Sequence, residues 1–175
     1  MRVSVERVIP APALRVRAAV TDFAAWADWS PWQTDTTMVM TLTGEPHQPG
    51  HRMEWTGEQM GAGSQTIAYN VCDSVEMTLD FGMGEPTPSR WYFAETGTEE
   101  TRVTWTFDGG SVGFWSRGLM AVLDPVGMIS KDYVLGLEAL ERVAVSAAGA
   151  EAASGDPCAP LPAAPDSTGS ADANV

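Results

Sequence analysis

Positive charge is scarce in this sequence. Its 175 residues contain ten Lys and Arg against 23 Asp and Glu, which gives a formal net charge of −13. Lys131 is the single lysine and the arginines are scattered, whereas binding to nucleic-acid phosphates requires clustered basic side chains. The composition therefore predicts no nucleic-acid partner, and it argues against electrostatic docking on an anionic membrane surface.

Long apolar runs are also lacking. The uncharged run at residues 118–123 is far short of the ~20 residues that span a bilayer, so we predict no stable membrane insertion. The N-terminal segment is charged and alternates polar with apolar residues, which is not typical of a signal peptide. Both observations favour a soluble protein.

The chain has only two cysteines, Cys72 in a predicted strand and Cys158 in a low-complexity tail. A disulfide between them would tie the tail to the sheet for no evident gain. We therefore predict reduced thiols in a cytoplasmic protein, with Cys72 as a small core residue.

Recognisable catalytic and metal-binding motifs are missing. No Ser/His/Asp order, glycine-rich phosphate loop or zinc-ligand spacing occurs. His47 and His51 lie within or beside a turn with no cysteine or acidic cluster near them, which predicts surface loop residues rather than a metal site. We predict neither a metal nor a cofactor.

Four acids lie on or beside predicted strands, and an acid facing an apolar cavity would be a candidate general acid or base. In strict alternation, however, two of them fall opposite the apolar set, and carboxylates are usually exposed. We therefore expect all four to face water and predict no catalytic residue among Glu54, Glu58, Asp80 and Glu95.

What the sequence does have is a long helical period near its end. Apolar residues recur at steps of three and four, the spacing of one helix face, at Leu119, Val122, Val126, Ile129, Tyr133, Leu137, Leu140 and Ala144. Asp124-Pro125 is typical of an N-cap followed by proline at the first helical position, so the long helix is predicted to start there. The preceding piece, with Gly113 and Gly118, is a candidate gate.

Upstream of this helix the pattern is mostly that of strands. Residues 2–9 alternate as a first strand, and Pro12 is placed to begin a short helix. Residues 36–106 have a period of two, interrupted by Gly and Pro turns, which predicts six consecutive antiparallel strands. The predicted fold is α+β: an antiparallel sheet of about seven strands wrapped around a long C-terminal helix, with two short helices after strand 1.

The domain is predicted to occupy residues 1–146. Residues 147–175 are rich in Ala, Pro, Gly and Ser and contain no aromatic or basic residue. Such a segment cannot bury enough apolar surface to offset its ordering entropy, so a disordered tail is predicted.

This order of elements resembles the helix-grip fold of the START-like (SRPBCC) superfamily, and within it the polyketide cyclase/dehydrase and lipid-transport group. The resemblance covers roughly residues 3–145 and is carried by residues 8–12, 20–23, 61–64 and 101–105, by Trp26, Trp29, Ser30, Pro31 and Trp32, by residues 131–133, and by Gly136-Leu137. Arg17 is a departure, because such proteins often carry an aromatic residue there.

The resemblance implies a deep apolar cavity between sheet and helix that binds a hydrophobic small molecule or lipid. It does not imply one activity, because such proteins include carriers, cyclases and co-chaperone-like modules. The hypotheses are therefore a hydrophobic-ligand-binding module, a polyketide cyclase or dehydratase, and a protein-interaction module; whether the chain is an enzyme and its oligomeric state stay open.

Candidate cavity residues follow from the strand and helix faces. Trp26, Trp29 and Trp32 either form a rim at the cavity mouth or pack the short helices on the sheet, and packing is favoured. Methionines suit an adaptable pocket, although core filling is equally consistent, and Tyr69 or Tyr92 is a candidate for orienting a ligand. The predicted cavity set is Trp32, Met53, Trp55, Tyr69, Met77, Leu79, Trp91, Trp105, Leu119, Leu123, Ile129 and Tyr133.

Overall fold

The computed structural model of the protein describes residues 2–82, 85–109 and 125–146. Three predictions lie outside these ranges: the cavity residues Leu119 and Leu123, the gate with Gly113 and Gly118, and the tail at 147–175. Within the described residues no helix is long and apolar enough to cross a lipid bilayer.

Seven strands and three helices make up the described fold. The strands are β1 (Arg2–Ile9), β2 (Val39–Thr43), β3 (Arg52–Gly57), β4 (Gly61–Val71), β5 (Ser74–Asp80), β6 (Thr87–Gly97) and β7 (Glu100–Asp108). The helices are α1 (Ala13–Thr21), α2 (Trp26–Trp29) and α3 (Pro125–Ser146). The predicted class and order of elements are confirmed.

The strands form one antiparallel sheet in the order β1-β7-β6-β5-β4-β3-β2. Each of β2 to β7 pairs with its neighbour in sequence, as a meander requires, and β1 closes the series against β7 from Val3↔Phe107 to Ile9↔Thr101. The sheet curves around α3, whose predicted inner face is buried at Tyr133, Leu137, Leu140 and Ala144. The architecture is that of a helix grip.

Helix α3 is held to the β1 edge by charge as well as by apolar burial. Arg7 on β1 pairs with Glu141 and, at 3.5 Å, with Glu138. At Gly136 the helix approaches closely, because a Cβ there would lie 3.1 Å from the Trp105 ring. Glycine thus lets α3 settle directly on the core.

Strand β4 contains an irregularity that the alternation pattern did not predict. The register with β5 shifts between Ile67 and Tyr69, so that Ala68 is an extra residue. A bulge of this kind reverses which face the following side chains take. Asn70 is therefore buried, whereas Tyr69 and Val71 are exposed.

The prediction that both histidines are surface loop residues is wrong. His47 is 3% exposed and His51 2% exposed, because the loop between β2 and β3 folds back against α1. His47 Nδ1 shares a hydrogen bond with the Thr21 hydroxyl at 2.8 Å, and Phe23 N donates to His51 Nε2 at 3.2 Å. The rings satisfy backbone and hydroxyl groups at the end of α1.

Arg17 completes this buried polar region. Its Nη1 donates to Asn70 Oδ1 at 2.7 Å, and Asn70 Nδ2 donates to the His47 carbonyl at 2.7 Å. The departure from an aromatic residue at position 17 is thus matched by the asparagine that the bulge turns inward. Burial lowers the pKa of Arg17 and of His47.

The prediction for Cys72 is also wrong. Cys72 lies exposed in the two-residue turn between β4 and β5, not in the core, and it is disulfide-bonded. The chain's other cysteine, Cys158, lies outside the described residues. The prediction of a cytoplasmic protein was based on reduced thiols, and the disulfide at Cys72 removes that support.

Candidate ligand-binding pocket

One half of the space between sheet and helix is filled by stacked rings, which we call the aromatic column: Trp26, Trp29, Trp91, Trp105 and Tyr133. Trp91 and Trp105 stack at 4.1 Å between ring centroids, and Tyr133 of α3 stacks on Trp105 at 3.6 Å. All five rings are at most 2% exposed. This part of the interior is a packed core.

Helix α2 contributes Trp26 and Trp29 to the column, and the indole N–H groups of both are hydrogen-bonded to backbone carbonyls. Trp26 Nε1 donates to the Val20 carbonyl at 2.9 Å and Trp29 Nε1 to the Ala19 carbonyl at 3.1 Å, at the end of α1. Buried indoles require such partners. Packing, rather than a rim, is therefore the main role of Trp26 and Trp29, whereas Trp32 is only half-buried.

The other half of the interior is open. A pocket of about 180 Å³ lies between the sheet and the start of α3. Its lining comes from the arm after α2, from β2 to β5, β7 and α3: Trp26, Ser30, Trp32, Gln33, Met38, Met40, Met53, Trp55, Met60, Gln65, Leu79, Phe81, Phe107, Ile129 and Tyr133. Nearly all of these walls are apolar, so the pocket suits an apolar occupant.

Six of the predicted cavity residues line this pocket: Trp32, Met53, Trp55, Leu79, Ile129 and Tyr133. They come from four separate parts of the chain, which the sheet and α3 bring together. Trp55 lies over Gly63, where a Cβ would be only 2.4 Å from the ring, and meets Phe81 edge-on at 6.1 Å between centroids. The absence of a side chain at Gly63 gives the Trp55 ring its position.

Four predicted cavity residues lie elsewhere. Met77, Trp91 and Trp105 are buried in the packed core and do not line the pocket; Trp91 and Trp105 belong to the aromatic column itself. Tyr69 is 38% exposed on the outer face, because the bulge at Ala68 reverses its direction.

Neither tyrosine proposed to orient a ligand reaches the pocket. Tyr92 is also exposed and lies on the outer face of β6, opposite Ser74. The phenol that lines the pocket is Tyr133 instead. Burial raises the pKa of Tyr133, against a smaller opposing effect of its hydrogen bond with Ser89. It is therefore neutral at physiological pH.

A wall of four methionines, Met38, Met40, Met53 and Met60, borders the pocket and is called here the methionine wall. Unbranched, polarisable thioethers adapt to the shape of an occupant at little cost. The alternation around β2 and β3 placed Met53 in the predicted cavity. The other three were noted in the sequence only as suited to such a pocket.

Asp35 holds the mouth of the pocket together. Its Oδ2 accepts hydrogen bonds from Gln59 N at 2.9 Å and Met60 N at 3.0 Å, and its Oδ1 from the amide and hydroxyl of Thr37. These bonds join the segment before β2 to the turn between β3 and β4. The Thr37 hydroxyl, followed by the backbone amides, lowers the pKa of Asp35 to about 2.

Three polar side chains interrupt the apolar lining: Ser30, Gln33 and Gln65. Gln65 lies on β4 between Met53 and Leu79 of the neighbouring strands, so it shares their inward face. It is 3% exposed, and its Nε2 has no hydrogen-bond partner among the described residues. Alternation along β4 puts Gln65 on the same face as Ile67, yet Gln65 is not among the predicted cavity residues.

Acid–base groups are absent from the described lining except for Tyr133. Glu54, Glu58 and Glu95 are exposed and Asp80 is half-buried, and none of the four borders the pocket. Among the described residues no group of three or more His, Cys, Asp or Glu side chains is placed to hold a metal ion. The arrangement can enclose and orient an apolar molecule.

A sheet that grips a long helix over an apolar pocket defines a class of ligand-binding folds. The family model described as polyketide cyclase / dehydrase and lipid transport matches residues 1–145, so the chain belongs to this family. No curated protein sequence matches the chain significantly.

Solved structures share the fold. A protein from Thermus thermophilus, TTHA0849, is 18% identical with a TM-score of 0.61, over 84% of this chain and 99% of that chain. The Aha1 dimer from Colwellia psychrerythraea is 14% identical with a TM-score of 0.59, over 81% and 93% of the two chains. DynU16, a protein of the dynemicin biosynthetic locus, is 19% identical with a TM-score of 0.56, over 81% of this chain but 46% of its own.

Proposed function

We propose that this protein binds a hydrophobic small molecule or lipid in the pocket beneath α3, for transport or sequestration. The observation that supports this most is the unfilled, apolar pocket of about 180 Å³ beside a densely packed aromatic column. A chain that needed only stability would fill such a space, because each empty methyl-sized void costs ~1 kcal/mol.

The energetics support retention by burial. Each buried CH₂ group contributes about 0.8 kcal/mol, so a short acyl chain or a bicyclic ring system is held by apolar contact alone. The pocket is smaller than the roughly 300–1,000 Å³ typical of sites for drug-sized ligands. We therefore expect it to enclose the apolar end of a larger molecule or the whole of a small one.

The cyclase or dehydratase hypothesis has less support. Such a reaction needs a group that takes or gives a proton inside the pocket, and the described lining offers only the phenol of Tyr133, with its pKa raised by burial. Tyr133 can donate a hydrogen bond to a substrate oxygen. It is a poor base at physiological pH.

Native mass spectrometry of the full chain, followed by organic extraction, tests the proposal. We expect a co-purifying apolar molecule, or a thermal shift and tryptophan quenching with medium-chain fatty acids or bicyclic aromatic compounds. A protein that carries nothing and gives no thermal shift across the panel would contradict a binding function.

A further inference from the structure

The inference concerns the buried carboxamide of Gln65 and rests on the proposed function of the pocket. Gln65 is 3% exposed, lines the pocket, and has an Nε2 without a partner among the described residues. Burying an amide donor without a hydrogen bond costs roughly 1–3 kcal/mol, so nearly all such groups in folded proteins are paired. The two N–H donors of this nitrogen therefore point to a partner that the described residues do not supply.

The position of Gln65 puts its carboxamide on the pocket wall. Nε2 itself has almost no accessible surface, so the amide must turn about its freely rotating terminal torsion to meet a ligand. Its cross-strand neighbours Met53 and Leu79 are both pocket residues, and side chains in register on adjacent strands share one face of a sheet. The partnerless Nε1 of Trp91 and Oγ1 of Thr87 lie off the pocket lining. Among the described residues, Gln65 alone combines a partnerless buried polar atom with a place on the pocket wall.

Ordered water is a weak alternative partner here. A buried water is usually held by about three hydrogen bonds, and the lining offers few groups besides Gln65. The Ser30 hydroxyl accepts from Trp32 N at 3.4 Å and keeps its own O–H donor, while Gln33 Nε2 contacts Met40 Sδ at 3.6 Å. Apart from the Tyr133 hydroxyl, which is hydrogen-bonded with Ser89, the remaining walls are rings, thioethers and aliphatic carbons.

We propose that Gln65 is a specificity-determining residue that donates a hydrogen bond to an uncharged oxygen acceptor of the ligand, in the chemical class of ketones and related carbonyl compounds. No Lys, Arg or His lies on the described lining to neutralise a carboxylate, so a neutral carbonyl fits better than an anion. The ligand is thus an apolar ring or chain that carries a carbonyl group where it meets β4.

A pair of isosteric probes tests this assignment. Benzophenone carries a carbonyl between two rings, and its alkene isostere has C=CH₂ in place of C=O. Dissociation constants for both are measured by tryptophan quenching with the wild-type chain and with Gln65→Met, which keeps the length of the side chain but removes the donor. Gln59→Met is the matched control, because Gln59 is exposed and does not line the pocket.

We expect the wild type and Gln59→Met to bind the ketone about tenfold more tightly than the alkene, the effect of one satisfied buried donor. In Gln65→Met the ratio should fall to about one while the alkene binds at least as tightly as before. The ligand-free Gln65→Met chain should unfold at a higher temperature than the wild type, which also verifies that it folds.

Other outcomes separate the two proposals. Binding of both probes with a wild-type ratio near one would overturn the role of Gln65 and leave the binding function standing. An unchanged tenfold ratio in Gln65→Met would likewise overturn it. Failure of the wild type to bind either probe or any member of the apolar panel would overturn both proposals.

Discussion

The aromatic column and the methionine wall lie between the same sheet and the same helix, but the column is packed core and the wall lines a pocket. The column is rigid and filled, with Trp105 stacked between Trp91 and Tyr133. The wall is flexible and borders empty space, with Met60 still 37% exposed. We therefore expect the column to contribute more to the free energy of unfolding, and the proposed ligand to contact the wall.

Trp32 and Tyr133 lie at the boundary between these halves. Tyr133 stacks on Trp105 within the column and also lines the pocket. Trp32 meets Trp105 edge-on at 5.8 Å and Tyr133 at 6.2 Å between centroids. A ligand in the pocket therefore rests against a wall whose shape is fixed by the core.

The largest expected effect comes from removing a ring of the column. Trp105→Ala should lower the free energy of unfolding by about 3–5 kcal/mol, because it opens a cavity and leaves Ser89 without its indole donor. Urea denaturation followed by circular dichroism measures the loss. A variant of nearly wild-type stability would mean that the column is not the stabilising half.

The second prediction concerns the pocket side of the comparison. Trp55→Ala should weaken binding of an apolar probe about tenfold while it lowers stability much less than Trp105→Ala, because the Trp55 ring is only half-buried. Titration and urea denaturation of the same preparations separate the two effects. Unchanged binding with a large loss of stability would identify Trp55 as a core residue.

Gly63→Ala sharpens this result without removing the ring. A methyl group at position 63 would collide with the Trp55 indole and displace it, so probe affinity should change in a chain that retains all of its tryptophans. Gly61→Ala is an unsuitable control because Gly61 has a φ of 67°. Ala62→Ser, at an exposed neighbouring position, is a better one.

The third prediction concerns the pocket mouth. The folded pKa of Asp35 is lowered to about 2, so the stabilisation from its carboxylate is present above the unfolded value of about 3.9 and is lost as the pH falls through about 2. Asp35→Asn should remove this acid-dependent component and widen the mouth. Stability profiles of the two proteins between pH 2 and 5 that run parallel would contradict this role.

The smallest expected effect concerns the buried histidine. Burial lowers the pKa of His47; the nearby Asp22 carboxylate opposes this shift, and Arg17 and His51 add to it. The unfolded chain then binds the proton more readily, so stability should decline as the pH falls below the unfolded value of about 6.5. His47→Asn, which suits the positive φ of 65°, should flatten this decline in thermal unfolding between pH 7 and 5.

Much of the fold was predictable because it rests on periodicity. The three- and four-residue spacing of apolar residues predicted α3. Alternation of apolar and polar residues between Gly and Pro turns predicted the meander. Pocket residues such as Met53, Trp55 and Leu79 followed from the same alternation. Their participation in ligand binding stays a prediction.

Other features depend on contacts that no local pattern encodes. The burial of His47 arises because a loop folds back on α1, where Thr21 provides a hydroxyl. The place of Gln65 in the pocket became visible only when its donor proved to have no partner. Met77 and Trp91 have the same inward parity as pocket residues, but both are completely buried in the packed core, and Trp91 is part of the column.

Because β4 contains one extra residue, its length determines which of its side chains face the interior. The residues before Ala68 alternate so that Gln65 faces the pocket side. After Ala68 the alternation is reversed, so Asn70 faces inward and accepts a hydrogen bond from Arg17 of α1. Deleting Ala68 would remove the bulge without changing these faces: Tyr69 would follow Ile67 directly and still face outward, and Asn70 would still face inward. In the native strand, Gln65 and Asn70 are five positions apart, and both face inward only because β4 carries one residue more than regular pairing needs.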